Sequence, residues 1–182
     1  MKLTAIKDGF ELVTESGKVI FVDSISDMES IIQVCEKADI PTGVGMTPGS
    51  KLLVTGSGEY EVSGVRLVAA RVSENNFYRL VTEGLTLSVI INPPEKIPGE
   101  VSEEIENPDV LVLDIRDATS LKHVPDAIAA VEPLLVYCLI TEPQFDELKR
   151  TLGSSDIIQM DIATLKRKDL PLQLTVIAVI RK

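Results

Sequence analysis

Histidine is almost absent from this chain, with one imidazole, His123, in 182 residues, and tryptophan is missing altogether. A single histidine excludes a metal centre built from several imidazoles. Cysteine is scarce too: Cys35 and Cys138 each lie inside an apolar stretch, where buried free thiols of a reducing compartment are expected. A zinc site made from His123, Cys35 and Cys138 would need three scattered ligands without the short spacing such sites use. No apolar run approaches the length of a membrane span, and no basic segment followed by an apolar run opens the chain, so a cytoplasmic protein is expected. Positive charge is in deficit, 18 basic against 28 acidic side chains, for a net charge of −10. An acidic surface repels phosphate backbones and anionic headgroups, which counts against nucleic-acid and membrane partners. The one compact basic run, Lys166-Arg167-Lys168, reads as a solvated loop rather than a basic face.

What is present is ordinary globular material: 45% apolar and 25% charged residues, enough for one domain over residues 1–182 with its own core. The first half reads as short strands: Leu3 to Ile6, Phe10 to Thr14 and Lys18 to Val22, separated by Asp8-Gly9 and Ser16-Gly17. From Ser26 to Ala38 the apolar residues Met28, Ile31, Ile32 and Cys35 fall at helical spacing, with Ser24 or Ser26 as cap, and predict a helix. A Gly- and Pro-rich loop, Ile40 to Gly49, follows. Strand signals then resume over Lys51 to Thr55, Glu59 to Val62, Val65 to Val72, Phe77 to Thr82 and Leu85 to Ile91.

The second half changes grammar. Apolar strands at Asp109 to Ile115 and Leu134 to Ile140 alternate with helices at Leu121 to Val131 and Glu142 to Leu152, the latter stopped by Gly153. Ile157 to Met160 and Gln173 to Ile180 close the chain. Hairpins followed by βαβ units predict an α/β domain with a mixed, double-layered sheet.

Several strings resemble one family. Gly56-Ser57-Gly58-Glu59-Tyr60-Glu61-Val62-Ser63-Gly64-Val65 resembles the Pro-Gly-Glu-Tyr-Glu-x-x-Gly-Val segment of a small branch of the metallo-β-lactamase fold, related to lactonase-like metal-dependent hydrolases. Phe21-Val22-Asp23 resembles the family's early strand ending in Ile-Asp-Pro. The strand Asp109 to Leu113 with the helix to Glu132-Pro133, and Lys168-Asp169-Leu170-Pro171 before the last strand, also have counterparts. The resemblance implies a four-layer αββα sandwich with metals at one edge between the sheets, activating water for hydrolysis. It also implies a His-x-His-x-Asp-His loop, a later Gly-Asp motif and a final histidine. Here the loop position is Ile40 to Gly49, without histidine or acid; the Gly-Asp motif aligns near Asn92-Pro93-Pro94; and Tyr137-Cys138-Leu139 stands near the final histidine. Asp23 persists, outside the main ligand motif. The resemblance therefore implies a non-catalytic domain without metal or other cofactor. Its expected partners are a protein or a second copy, with a homodimer through open sheet edges as one form and a small ligand in the vacated cleft as another.

The alternative is a hydrolase using an atypical site. Its candidates are Asp114 and Asp117, whose carboxylates could offer oxygens to a hard cation such as magnesium, and His123 as an acid–base group. The ordinary readings compete: aspartates at a strand end turn the chain and cap the next helix, and His123 is a half-exposed residue at a helix start. Thr55-Gly56-Ser57-Gly58 lacks the following lysine and helix of a phosphate loop and reads as a tight turn, and Ser57 as nucleophile would have only His123 as base.

Overall fold

The structure, a computed structural model, describes residues 1–36, 44–47, 49–73 and 75–181. Its opening follows from alternation and glycine. Strands β1 (Lys2–Ile6), β2 (Gly9–Thr14) and β3 (Gly17–Val22) form an antiparallel meander whose buried residues fall mostly at every second position before β3 becomes continuously buried. Gly9 is needed for packing: a Cβ there would lie 1.8 Å from the carbonyl oxygen of Phe21.

The segment expected as a helix is instead β4 (Ser30–Cys35), with all six residues buried and parallel pairing to β3. A strand covered on both faces has no polar alternation. The spacing of Met28, Ile31, Ile32 and Cys35 therefore imitates a helical stripe, while the β-branched Ile31, Ile32 and Val34 favour the extended form. Ser26 caps no helix: its hydroxyl and carbonyl accept hydrogen bonds from Nε2 of the fully buried Gln33 at 3.1 and 3.3 Å. The expected loop Ile40 to Gly49 contains β5 (Val44–Thr47); the remainder of it, apart from Gly49, lies outside the described residues.

The hairpin strands follow as expected: β6 (Ser50–Val54), β7 (Gly58–Val62), β8 (Val65–Val72), β9 (Asn75–Thr82) and β10 (Leu85–Ile91). A short helix that sequence reading did not anticipate, α1 (Gly99–Ile105), precedes β11 (Val110–Asp114). The helix expected over Leu121 to Val131 divides into a 3₁₀ turn (Ala118–His123) and α2 (Val124–Val131), with Pro125 in the first turn of α2, where its missing N–H costs nothing. After β12 (Leu135–Ile140), Glu142–Gln144 is again 3₁₀ and α3 runs Phe145–Leu152, ended by Gly153 at φ 61°. Thr141 and Gln144 fasten that start, the Thr141 N–H donating to Gln144 Oε1 at 2.8 Å. Two three-residue strands, β13 (Ile158–Met160) and the unanticipated β14 (Ile162–Thr164), lead through the 3₁₀ turn Arg167–Asp169 to β15 (Thr175–Ile180).

The strands form two mixed sheets, ordered β14-β1-β2-β3-β4-β6-β5 and β13-β15-β12-β11-β10-β9-β8-β7. Their inner faces share one apolar core, in which Phe10 stacks on Phe21 and Phe21 meets Tyr78 of the other sheet edge to face at 5.3 Å between centroids. A second core lies on the outer face of the eight-stranded sheet, where Leu111, Leu113, Val136, Cys138 and Ala178 meet Val101, Val124, Ile128 and Leu148 of the helices. The protein is thus α/β with paired mixed sheets, as expected. Among the described residues, the helices pack on the outer face of the eight-stranded sheet. No described helix is long and apolar enough to cross a membrane.

Candidate functional site

The carboxyl ends of five strands meet at one rim of the sandwich. Asp23 follows β3, Glu36 follows β4, Asn92 follows β10, Asp114 ends β11 with Arg116 two residues on, and Arg181 follows β15. Parallel pairing of β10, β11, β12 and β15 sends these ends in one direction, and β3 and β4 bring theirs to the same rim from the opposite sheet.

Arg116 is the centre of the cluster. Its Nε and Nη2 lie 2.8 Å from Oδ2 of fully buried Asp114. Its Nη1 pairs with Asp23 Oδ1 and stands 3.6 Å from Glu36 Oε2, so one guanidinium joins both sheets. Arg181 pairs through Nη2 with the other oxygen of Asp114, and its Nη1 reaches the Lys7 carbonyl at 3.4 Å. Two guanidiniums thus face three carboxylates. Burial works against the charge of Arg116, but Asp114, Glu36 and Asp23 outweigh it and hold its pKa above the ordinary value. Asn92, at φ 47°, fixes the approach: its Oδ1 accepts the backbone N–H groups of Arg116 and Asp117, each at 2.8 Å.

Beside the cluster, Glu36, Ser57, Arg71, Asn76 and Tyr78 line a recess of about 10 Å³, room for roughly one water. Burial, and then the charge of Glu36, pushes the Tyr78 phenol well above its usual range. The neighbouring turn is stitched by the Tyr60 hydroxyl, which donates to the Gly56 carbonyl at 3.0 Å, and by Ser57 Oγ, which accepts the Arg71 N–H at 3.0 Å.

The residues singled out from sequence do not converge. Asp114 is engaged on both oxygens by arginines. Asp117 is exposed and caps the 3₁₀ turn, accepting Thr119 N–H at 3.0 Å and Thr119 Oγ1 at 2.7 Å, which lowers its pKa. His123 sits half-exposed where that turn becomes α2, and its side chain makes no cap hydrogen bond there. Asp109 anchors β10 by accepting the Thr86 N–H at 2.8 Å. Both cysteines are buried and neither is in a disulfide among the described residues, and burial pushes the Cys138 thiol up to about 12.

Sequence reading missed Glu36, Arg116, Arg181 and the bracing role of Asn92. Their usable signal was charge at the ends of otherwise apolar strands; which ends share a rim is set by strand order, which local sequence does not carry.

No protein-family model and no curated protein matches the chain. Among solved structures it is similar to a Thermotoga maritima protein assigned by name to the Zn-dependent hydrolases of the metallo-β-lactamase superfamily, with a TM-score of 0.78, 16% identity and full coverage of both chains. Among the described residues no group of three or more His, Cys, Asp or Glu side chains is arranged to hold a metal ion. The rim carboxylates converge on guanidiniums, and the single imidazole lies in the helical layer. The likeness is one of architecture, and by it the chain carries the metallo-β-lactamase fold.

Proposed function

We propose that the chain is a non-catalytic domain of the metallo-β-lactamase fold, working as a binding or assembly module. The observation behind this reading is Arg116: a permanently protonated side chain sits among Asp23, Glu36 and Asp114 at the rim, and a guanidinium supplies charge without activating water or accepting a lone pair. A cluster so closed ties the sheets together and leaves recognition to the surface. Cytoplasmic location and a protein partner, a second copy included, belong to the same reading. A hydrolase using Asp114 and Asp117 would need both carboxylates free to share a ligand, and each is already engaged separately.

Metal analysis of the purified protein, paired with hydrolysis assays on ester, lactone and phosphodiester substrates before and after chelation, tests the reading. Substoichiometric metal and no chelator-sensitive turnover are expected. One tightly held transition metal per chain, with hydrolysis that chelation abolishes, would overturn it.

A further inference from the structure

The two sheets end in four edges, β14 and β5 on one, β13 and β7 on the other. Three carry protection against further pairing. β13 and β14 are three residues long, and the register of β5 shifts between Gly45 and Thr47. β7 differs: five residues, paired in unbroken register with β8, with no described strand on its outer side.

The turn decides which backbone groups point outward. Ser63 and Gly64, at φ 53° and 78°, make a two-residue hairpin turn of the type that matches strand twist. Val62 and Val65 beside it form a hydrogen-bonded pair, as do Tyr60 with Leu67 and Gly58 with Ala69, by the alternation of antiparallel ladders. Glu59 and Glu61 consequently turn their N–H and C=O groups away from β8. Their side chains are exposed on the outer face, whereas Tyr60 and Val62 pack against the inter-sheet core. The Tyr60 hydroxyl bond to Gly56 holds that inner face in place.

Arg66 of β8 is a template for what the acidic face accepts: it stands opposite Glu61 and pairs with Glu59 at 2.8 Å. A second copy is a poor occupant. Two β7 strands paired antiparallel about Tyr60 would set Glu59 against Glu61, on chains of net charge −10 each. We propose that β7 is a strand-addition site for an extended segment of another protein with a basic–apolar–basic pattern. Lysine or arginine of that segment faces Glu59 and Glu61, and the apolar residue between them lies on the Tyr60 side. The inference rests on the binding-module reading and names its partner chemistry.

The test uses the full chain and two labelled, capped hexapeptides, one alternating lysine and valine and one alternating glutamate and valine, with amide exchange followed by NMR. The expected result is saturable binding of the lysine peptide, slowed exchange at the Glu59 and Glu61 amides, and preference over the glutamate peptide by about tenfold. In the double variant Glu59→Lys/Glu61→Lys, both changes being exposed, the preference reverses while the exchange pattern of the core strands is retained. Absent binding, equal binding of both peptides, protection away from β7, or self-association through β7 would each overturn the proposal. Failure here with no metal found leaves the non-catalytic reading standing, whereas a chelatable metal with turnover removes that reading whatever the peptides do.

Discussion

The sandwich is fastened at both rims, by different chemistry. Where β3, β4, β11 and β15 end, Arg116 and Arg181 join the sheets through buried or half-buried carboxylates. At the opposite rim Glu83, in the β9–β10 turn, accepts the N-terminal ammonium of Met1 at 3.1 Å and the Glu15 N–H at 2.8 Å, while Arg167 donates to the Gly84 carbonyl. The second rim uses a single half-buried carboxylate, Glu83, that accepts from one ammonium and one backbone N–H and holds no fully buried carboxylate. The first is centred on Asp114, whose side chain is fully buried and therefore needs the counter-charges of Arg116 and Arg181. The difference shows where loss of one side chain is absorbed and where it is not.

Substitution tests this asymmetry. Arg116→Ala has the largest expected effect, about 3–5 kcal/mol of unfolding free energy in urea titrations, because it strands carboxylates in a low-dielectric site. A loss comparable to that at the opposite rim would break the comparison. Arg116→Lys keeps the charge but not the Nε hydrogen bond to Asp114 together with the Nη1 reach to Asp23, and a loss of about 2 kcal/mol is expected. Glu83→Gln keeps the shape and removes the charge at the other rim; thermal unfolding monitored by circular dichroism should register about 1 kcal/mol. Asp117→Ala, beside the Arg116 cluster but exposed, removes only a cap and should cost the least of the four in the same urea titrations. If it cost as much as Arg116→Lys, Asp117 would have to belong to the charged cluster after all.

Much of the fold was legible because its signals are local. Val65 to Val72 and Leu85 to Ile91 alternate or run apolar between turn residues, and Gly153 marks a helix end. β4 was misread because burial on both faces erases the period that separates strand from helix. The helix α1 went unseen for a different cause: only Val101 and Ile105 of its seven residues are buried, too short a stripe to register as a period. It is held by tertiary bonds, Ser88 Oγ donating to the Ile105 carbonyl at 2.7 Å and Arg79 to the Glu104 and Glu106 carbonyls. The rim cluster was illegible for a third reason. Asp23 and Arg116 are 93 residues apart, and only the packing of one sheet on the other makes them partners.

The Phe21–Tyr78 contact has an optical consequence. The chain has no tryptophan and three tyrosines, so tyrosine emission is not drained by energy transfer to an indole. Tyr78 belongs to one sheet and its ring partner to the other, and its phenol is held un-ionised far into alkali while the sheets stay together. Its ultraviolet spectrum and fluorescence therefore give the protein a built-in gauge of sheet separation, readable without a label.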